Sequence, residues 1–583
     1  MYKCLYIFKP DHNMRAPFLS LLTLVLLLSA CTGNRKLSNT GINAYQYAVQ
    51  KNIQCRNGAV VSAHPLASEA GLSILRKGGN AIDAAIATQL ALAVVYPGAG
   101  NIGGGGFLVG YLASGKTLAI DYREKAPGAA HRDMYLDANG NANTNLSQDG
   151  HLAAGVPGTV AGLFTSAKYG KLPFKDLIQP AIDLAEKGFL ITAGEANGLN
   201  HSRESFVKLN TISPAFVKDQ PWKEGDTLIQ TDLANTLKRI RDNGQKGFYE
   251  GETAKLIVEE MQRGKGIISY DDLKDYEAKE REIVSFPYKG YTILTMPLPS
   301  SGGILLPQMM KMIEDRNVKA MGFQTAASVQ LMTEIERRSY ADRAKFLGDA
   351  DFYKVPIQTL TSDAYAKQRM QDYDPNKAGT STAIQAGQIP ESEETTHLSV
   401  YDKEGNAVAV TTTLNGSYGS KTVVGRAGFL LNNEMDDFSV KPGVPNMYGA
   451  VGADANAILP GKRMLSSMTP TIVLKDQKPY IIAGTPGGTT ITTSVFQTLI
   501  NLLEFDMSVS DAVNRPKFHH QWLPDEIFVE RNFPVAVREE LQKMGYKIRE
   551  RGQIGRTEVI RIQADGAIEA VGDHRGDDHA AGF

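Results

Sequence analysis

The chain has 583 residues, 42% of them hydrophobic and 21% charged, with a formal net charge of -1 at pH 7. That length exceeds one ordinary hydrophobic core and calls for several domains or one large layered body, while the near-zero charge gives no basis for a nucleic-acid surface, which needs a positive stripe. The three cysteines, Cys4, Cys31 and Cys55, all lie near the N-terminus in a spacing that fits neither a disulfide framework nor a zinc site.

In chain order, the first feature is an export signal. Met14-Arg15 precedes the apolar run Phe18 to Leu28, and Leu28-Ser29-Ala30-Cys31 closes it. The run is too short for a stable membrane span. Leu-Ser-Ala-Cys resembles the lipobox of bacterial lipoproteins. It implies that residues 1–30 are a signal, with Met14 the more natural start, and that lipidated Cys31 anchors an exported, periplasmic protein to a membrane.

After a polar tether to about Gln54, Ala67 to Leu75 predicts a helix ending at Gly78-Gly79-Asn80. Ala81 to about Val95 predicts a second helix, whose alanines suit close packing in a buried layer. The glycine run Gly103 to Gly106 lacks the helix start and Lys-Ser/Thr of a phosphate loop, so no nucleotide site is expected there. Phe107–Leu112 and Leu118–Glu124 predict strands. Arg123, taken alone, reads as a solvated strand end. From Gly155 to about Met310 the pattern is mainly helical. A further helix around Val329 to Phe346, rich in Glu334, Glu336, Arg337, Arg338 and Arg343, predicts a charged outer face.

Residues 374–394 form a Pro-, Gly- and Ser-rich linker ending in Glu391, Glu393 and Glu394. At its end stands Thr395-Thr396-His397. Two strands follow, Thr396 to Tyr401 and Ala407 to Thr413, joined at Lys403-Glu404-Gly405-Asn406. If the bond before Thr395 were cut, its own α-amine could take the proton from its hydroxyl, making a threonine nucleophile with a built-in base. Two threonines opening an ordinary strand are the alternative. Further strands are expected at Gly428–Leu431, Thr471–Leu474 and Tyr480–Ala483, with helices at about Thr492–Leu503 and Val535–Met544. Strands covered by helices suit an α+β body with two sheets packed between helical layers. The adjacent His519 and His520 lack the spacing and companions of a metal site and read as structural.

Gly155-Val156-Pro157-Gly158-Thr159-Val160-Ala161-Gly162, Thr395-Thr396-His397, Leu431 to Phe438 (LNNEMDDF), Leu465-Ser466-Ser467-Met468 and Gly484-Thr485-Pro486-Gly487-Gly488 together resemble the γ-glutamyltranspeptidases, of the N-terminal nucleophile hydrolase superfamily. The resemblance implies a four-layer αββα fold. It also implies a precursor that cuts itself between Glu394 and Thr395 into a large subunit, 31–394, and a small subunit, 395–583, which stay together. Thr395 would then attack the γ-amide of glutathione or another γ-glutamyl compound and pass the acyl group to water, an amino acid or a dipeptide. No cofactor or metal is implied.

Carried over residue by residue, Thr413 orients Thr395, and the N–H groups of Gly487 and Gly488 form the oxyanion hole. Arg123 pairs the donor's α-carboxylate, a task suited to a guanidinium fork. Ser466 and Ser467 add hydroxyl donors, and Asn415, Glu434 and Asp437 accept from the α-ammonium. Pro442 to Gly449 resembles the family's lid loop, with Tyr448 as gate, which implies a preference for small donors. The rival readings are a cephalosporin acylase or capsule-processing relative on the same fold, and an inactive tethered lipoprotein.

Overall fold

The computed structural model describes residues 41–382 and 395–583, so the signal, Cys31 and Glu394 lie outside the described residues. Alternation along the strand Ala407–Thr413 sets the architecture. Val408 and Val410 pack with the helices Pro65–Arg76 and Ala81–Val95, while Ala407 and Ala409 pack with Ile472, Leu474 and Ile482 of a second sheet. A strand apolar on both faces needs a layer on each side. The second sheet repeats the pattern, its outer residues Ile293, Val473 and Ile481 meeting the helices Gly302–Glu314, Ala326–Phe346 and Thr490–Leu503. The result is the expected αββα sandwich.

Each central sheet has seven strands. The first runs His579–Gly582, Gly58–Ser62, Thr396–Asp402, Ala407–Thr413, Gly105–Tyr111, Thr117–Asp121, Lys279–Glu280. The second runs Asn52–Cys55, Ile568–Val571, Glu558–Ile562, Lys478–Gly484, Thr471–Lys475, Tyr291–Thr295, Val284–Tyr288. Both sheets draw strands from before residue 383 and from after 394. Neither part can complete a sheet alone, so the two parts share one interior.

Local signals place many of these elements. Asn80 caps the helix Ala81–Val95 in a capping box with Asp83, and Gly78, at φ 92°, ends the preceding helix. Three expectations need correction. The hairpin Val284–Tyr288 and Tyr291–Thr295 interrupts the stretch read as mainly helical, and its turn residues Lys289 and Gly290 both have positive φ, as two-residue hairpins require. Gly428–Leu431 forms no strand, only an isolated bridge between Val423 and Leu430. The charges of the helix Ala326–Phe346 do not face outward. Glu334, Glu336, Arg337, Arg338 and Arg343 are all buried, and Arg337 and Arg338 pair with Glu334, Asp525 and Asp372.

Register then positions the candidate nucleophile. Thr396 pairs with Thr412 and His397 with Thr411 in the antiparallel ladder. Continued by one step, that register sets Thr395 opposite Thr413, on the face turned toward the second sheet. His397 bridges the two sheets, because a methyl group on Gly484 would lie only 2.2 Å from its ring. Gly484→Ala is therefore expected to destabilise the protein by about 1–3 kcal/mol through overpacking, read as a lower urea midpoint. An unshifted midpoint would contradict this contact.

Candidate active site

Thr395 is buried and lines a cavity. Its Oγ1 lies 3.5 Å from Thr413 Oγ1. Thr413 Oγ1 accepts the Asn415 N–H at 2.7 Å, so its own proton is available for Thr395. The strand carrying Thr413 is held from the other side by a close approach, since a methyl on Gly104 would lie 2.1 Å from the Thr413 carbonyl.

The loop after Lys478–Gly484 supplies the facing wall. Gly487 and Gly488 have φ of 133° and 52°, conformations that disfavour residues with a side chain. The Gly487 carbonyl accepts the Thr490 N–H at 2.9 Å and the Thr490 hydroxyl at 2.7 Å, which turns it into the start of the helix Thr490–Leu503. Neither glycine N–H donates to a described residue. Two uncommitted amide donors at a helix N-terminus suit a developing oxyanion. Gly488 lines the cavity with Thr395 and Thr413, and Gly487 sits one residue behind it.

Arg123 is not the solvated strand end that it resembles in isolation. It is 1% exposed, and its guanidinium meets Glu434 at 2.5 Å and Asp437 at 2.5 Å, with Glu124 at 3.6 Å. Burial works against the Arg123 charge, but Glu434, Asp437 and Glu124 more than offset it and hold its pKa above the usual arginine value. Burial likewise raises the acids against the pull of Arg123: Glu124 is pushed up to about 8, and Glu434 and Asp437 also shift upward. In this state the fork expected to grip a substrate carboxylate is engaged with two protein carboxylates.

The remaining expected residues converge on the same cavity. Asn415, Glu434, Asp437, Tyr448, Ser466 and Ser467 all line it. Asn415 holds φ 74°, a left-handed conformation that Asn tolerates better than most residues. The lid segment is closed over the cavity: the Tyr448 hydroxyl donates to the Asn415 carbonyl, and the Tyr448 ring stands against Gly488. Asn446 ties the lid to Asp437 at 2.8 Å, and the Met447 N–H donates to Asp436 at 2.7 Å. Burial pushes Asp436 up to about 7, against donors from Ser147 and Met447.

Among the lining residues not expected from the sequence are Asn446 and Arg343. Asn446 carried no signal beyond its place in the lid. Arg343 was visible as a charge on a helix but was assigned to the wrong face. His519 and His520 are bonded within the core, His519 to Thr493 and Gln521 and His520 to the Trp522 N–H.

A threonine opening an inner strand of an αββα sandwich, with a second hydroxyl and a pair of glycine amides before it, defines the N-terminal nucleophile hydrolase class. The family model for Gamma-glutamyltranspeptidase matches residues 67–583. The chain is 46% identical over 547 residues to the glutathione hydrolase proenzyme of Escherichia coli (strain K12), covering 92% of this chain and 94% of that one. Among solved structures, cephalosporin acylase from Bacillus halodurans superposes with a TM-score of 0.79 at 25% identity, covering 93% of this chain and 99% of that one. Helicobacter pylori gamma-glutamyltranspeptidase gives 0.55 at 44% identity, covering 58% of this chain and 96% of that one. The protein belongs to the γ-glutamyltranspeptidase family.

His397, two residues beyond Thr395, hydrogen-bonds Thr411 at 2.9 Å and Ser399 at 3.1 Å. Burial pushes its imidazole down to about 3, so it is neutral where an exposed imidazole titrates near 6.5. As pH falls through about 6.5 the unfolded chain gains a proton here that the folded chain refuses, so this contribution to stability is complete above that pH and lost toward about 3. His397→Asn removes the group. The stability advantage of the wild type over this variant is expected to shrink as pH falls from about 7 to about 5, by at most about 1.4 kcal/mol per unit. Denaturation midpoints report it, and a constant difference would contradict a neutral buried imidazole.

Proposed function

We propose that the chain is a self-processing γ-glutamyltransferase and glutathione hydrolase. The observation that carries this reading is the convergence, in one cavity, of the Thr395–Thr413 pair, Gly488, the Arg123–Asp437 pair and Ser466–Ser467. In the precursor, the Thr395 hydroxyl attacks the Glu394 carbonyl carbon. The nitrogen leaves as the free α-amine, and water hydrolyses the resulting ester to release residue 394 as a carboxylate. The same hydroxyl, now beside its own amine, attacks the γ-carbonyl of a γ-glutamyl donor.

The amine takes the hydroxyl proton and returns it to the leaving amine of the donor. Negative charge on the carbonyl oxygen meets the Gly487 and Gly488 N–H groups, where removing one such donor typically costs about 3–4 kcal/mol of activation free energy. Water or the amine of an amino acid or dipeptide then accepts the γ-glutamyl group. Arg123 and the two serines hold the donor's α-carboxylate, and Asn415, Glu434 and Asp437 its α-ammonium. The closed lid favours small donors such as glutathione over long polymers. Residues 31–394 and 395–583 form the two subunits, and export with lipidation at Cys31 completes the reading, on the sequence pattern alone.

Incubation of the purified protein with glutathione is expected to release glutamate and cysteinylglycine. Thr395→Ala is expected to migrate as one uncut chain with turnover reduced to background, because both reactions use one hydroxyl. A cleaved or active Thr395→Ala variant would contradict the mechanism. Turnover of an acylated cephalosporin in place of glutathione would favour the acylase alternative, which the cephalosporin acylase neighbour keeps on the same fold.

A further inference from the structure

The helix Ala326–Phe346 projects Glu336, Tyr340 and Arg343 along one face, spaced four and three residues apart, toward the loops that build the cavity. Tyr340 donates to the Thr489 carbonyl beside the glycine pair. Arg343, 8% exposed, lines the cavity and donates to Ser301 Oγ at 3.3 Å and Ser467 Oγ at 3.2 Å. Among the described residues no carboxylate lies within ion-pair distance of it, whereas Arg123 touches two at 2.5 Å. A buried guanidinium without an anion is an expensive arrangement unless a ligand supplies one.

Arginine can only donate hydrogen bonds, so Ser467 Oγ must accept from Arg343 and its own proton is free to point elsewhere. Ser466 Oγ is in the same position, accepting the Met468 N–H at 3.1 Å. Neither hydroxyl donates to a described residue. Two hydroxyl protons and a guanidinium without an ion pair among the described residues thus line the cavity that Asp437 and Asn415 also line. Ser301 strengthens the link, since its N–H donates to the Ser466 carbonyl at 2.7 Å, so Arg343 braces both segments.

We propose that Arg343 is the positioning residue of the α-carboxylate subsite: it fixes Ser467 with its hydroxyl proton directed at the donor and adds a second positive charge to that of Arg123, which is shared with Glu434 and Asp437. The proposal rests on the γ-glutamyl reading above and deepens it, because it separates the two ends of the donor. The carboxylate lies toward Arg343 and the ammonium toward Asp437.

Two anilides test it: γ-L-glutamyl-p-nitroanilide and 4-aminobutyryl-p-nitroanilide, which keeps the amine and the scissile amide but lacks the α-carboxylate. The readout is the ratio of their kcat/KM values in the processed enzyme. Arg343→Met is expected to lower that ratio about 10- to 100-fold, the range of a charged hydrogen bond, chiefly through KM for the glutamyl donor. Arg343→Lys restores part of it. The double variant Arg343→Met, Ser467→Ala is expected to lose little beyond the weaker single variant, because both act through one hydroxyl.

An unchanged ratio in a self-cleaved Arg343→Met enzyme, or equal losses for both anilides, would overturn the assignment. If Arg343→Met fails to self-cleave, Arg343→Lys decides the matter by the same ratio: a fall supports the assignment and an unchanged ratio overturns it. A wild-type protein that turns over neither anilide would instead remove the functional reading itself, and this assignment with it.

Discussion

The site depends on a single register. Thr396–Asp402 and Ala407–Thr413 pair so that Thr396 faces Thr412, and one further step carries Thr395 to Thr413 on the face turned between the sheets. A slip of one residue would send both hydroxyls into the helical layer. The apolar alternation prevents that slip, because Leu398, Val400, Val408 and Val410 would have to leave the helices that cover them. Packing of the outer layer thereby fixes the chemistry of the inner one. His397 extends the constraint to the second sheet by occupying the space that Gly484 leaves open, just before the loop carrying Gly487 and Gly488.

Around this pair the protein holds charges in an unbalanced but ordered way. Arg123 draws in Glu434 and Asp437, and burial keeps those acids and Glu124 above the ordinary carboxylate range. Arg343 lines the same cavity, donates to Ser467 Oγ at 3.2 Å and makes no ion pair among the described residues. The cavity thus carries both accepting and donating groups before any ligand arrives, and preorganised donors need little rearrangement when charge develops. The lid closes over the same space through Tyr448 and Asn446, which tie it to Asn415 and Asp437, and such closure limits the access of water to the groups beneath.

Much of this was legible in the sequence where a local signal existed. Asn80 and Asp83 announce the helix Ala81–Val95, Gly405 marks the turn between the two inner strands, and the separated motifs bring Thr395, Arg123, Ser466, Ser467 and Gly488 to one cavity. The hairpin 284–295 was missed although Lys289-Gly290 is a turn signal, because its strands are short and lie within a run of helices. Glu558–Ile562, Ile568–Val571 and His579–Gly582 were missed because what makes them strands is their partners, hundreds of residues away in the cases of Asn52–Cys55 and Gly58–Ser62. The helix Ala326–Phe346 shows a different limit. A row of Glu and Arg reads as a wet surface until the structure shows the charges pairing with one another and with Asp525 and Asp372.

The chemistry proposed for Thr395 makes it both a chain terminus and the acyl-carrying group. Peptide mapping by mass spectrometry after treatment with an electrophilic analogue of glutamine tests it most directly. The expected result is one covalent adduct on Thr395, in a fragment that begins at that residue and carries a free α-amine. An adduct on another side chain, or a Thr395 still joined to Glu394 in a protein that turns over glutathione, would contradict it.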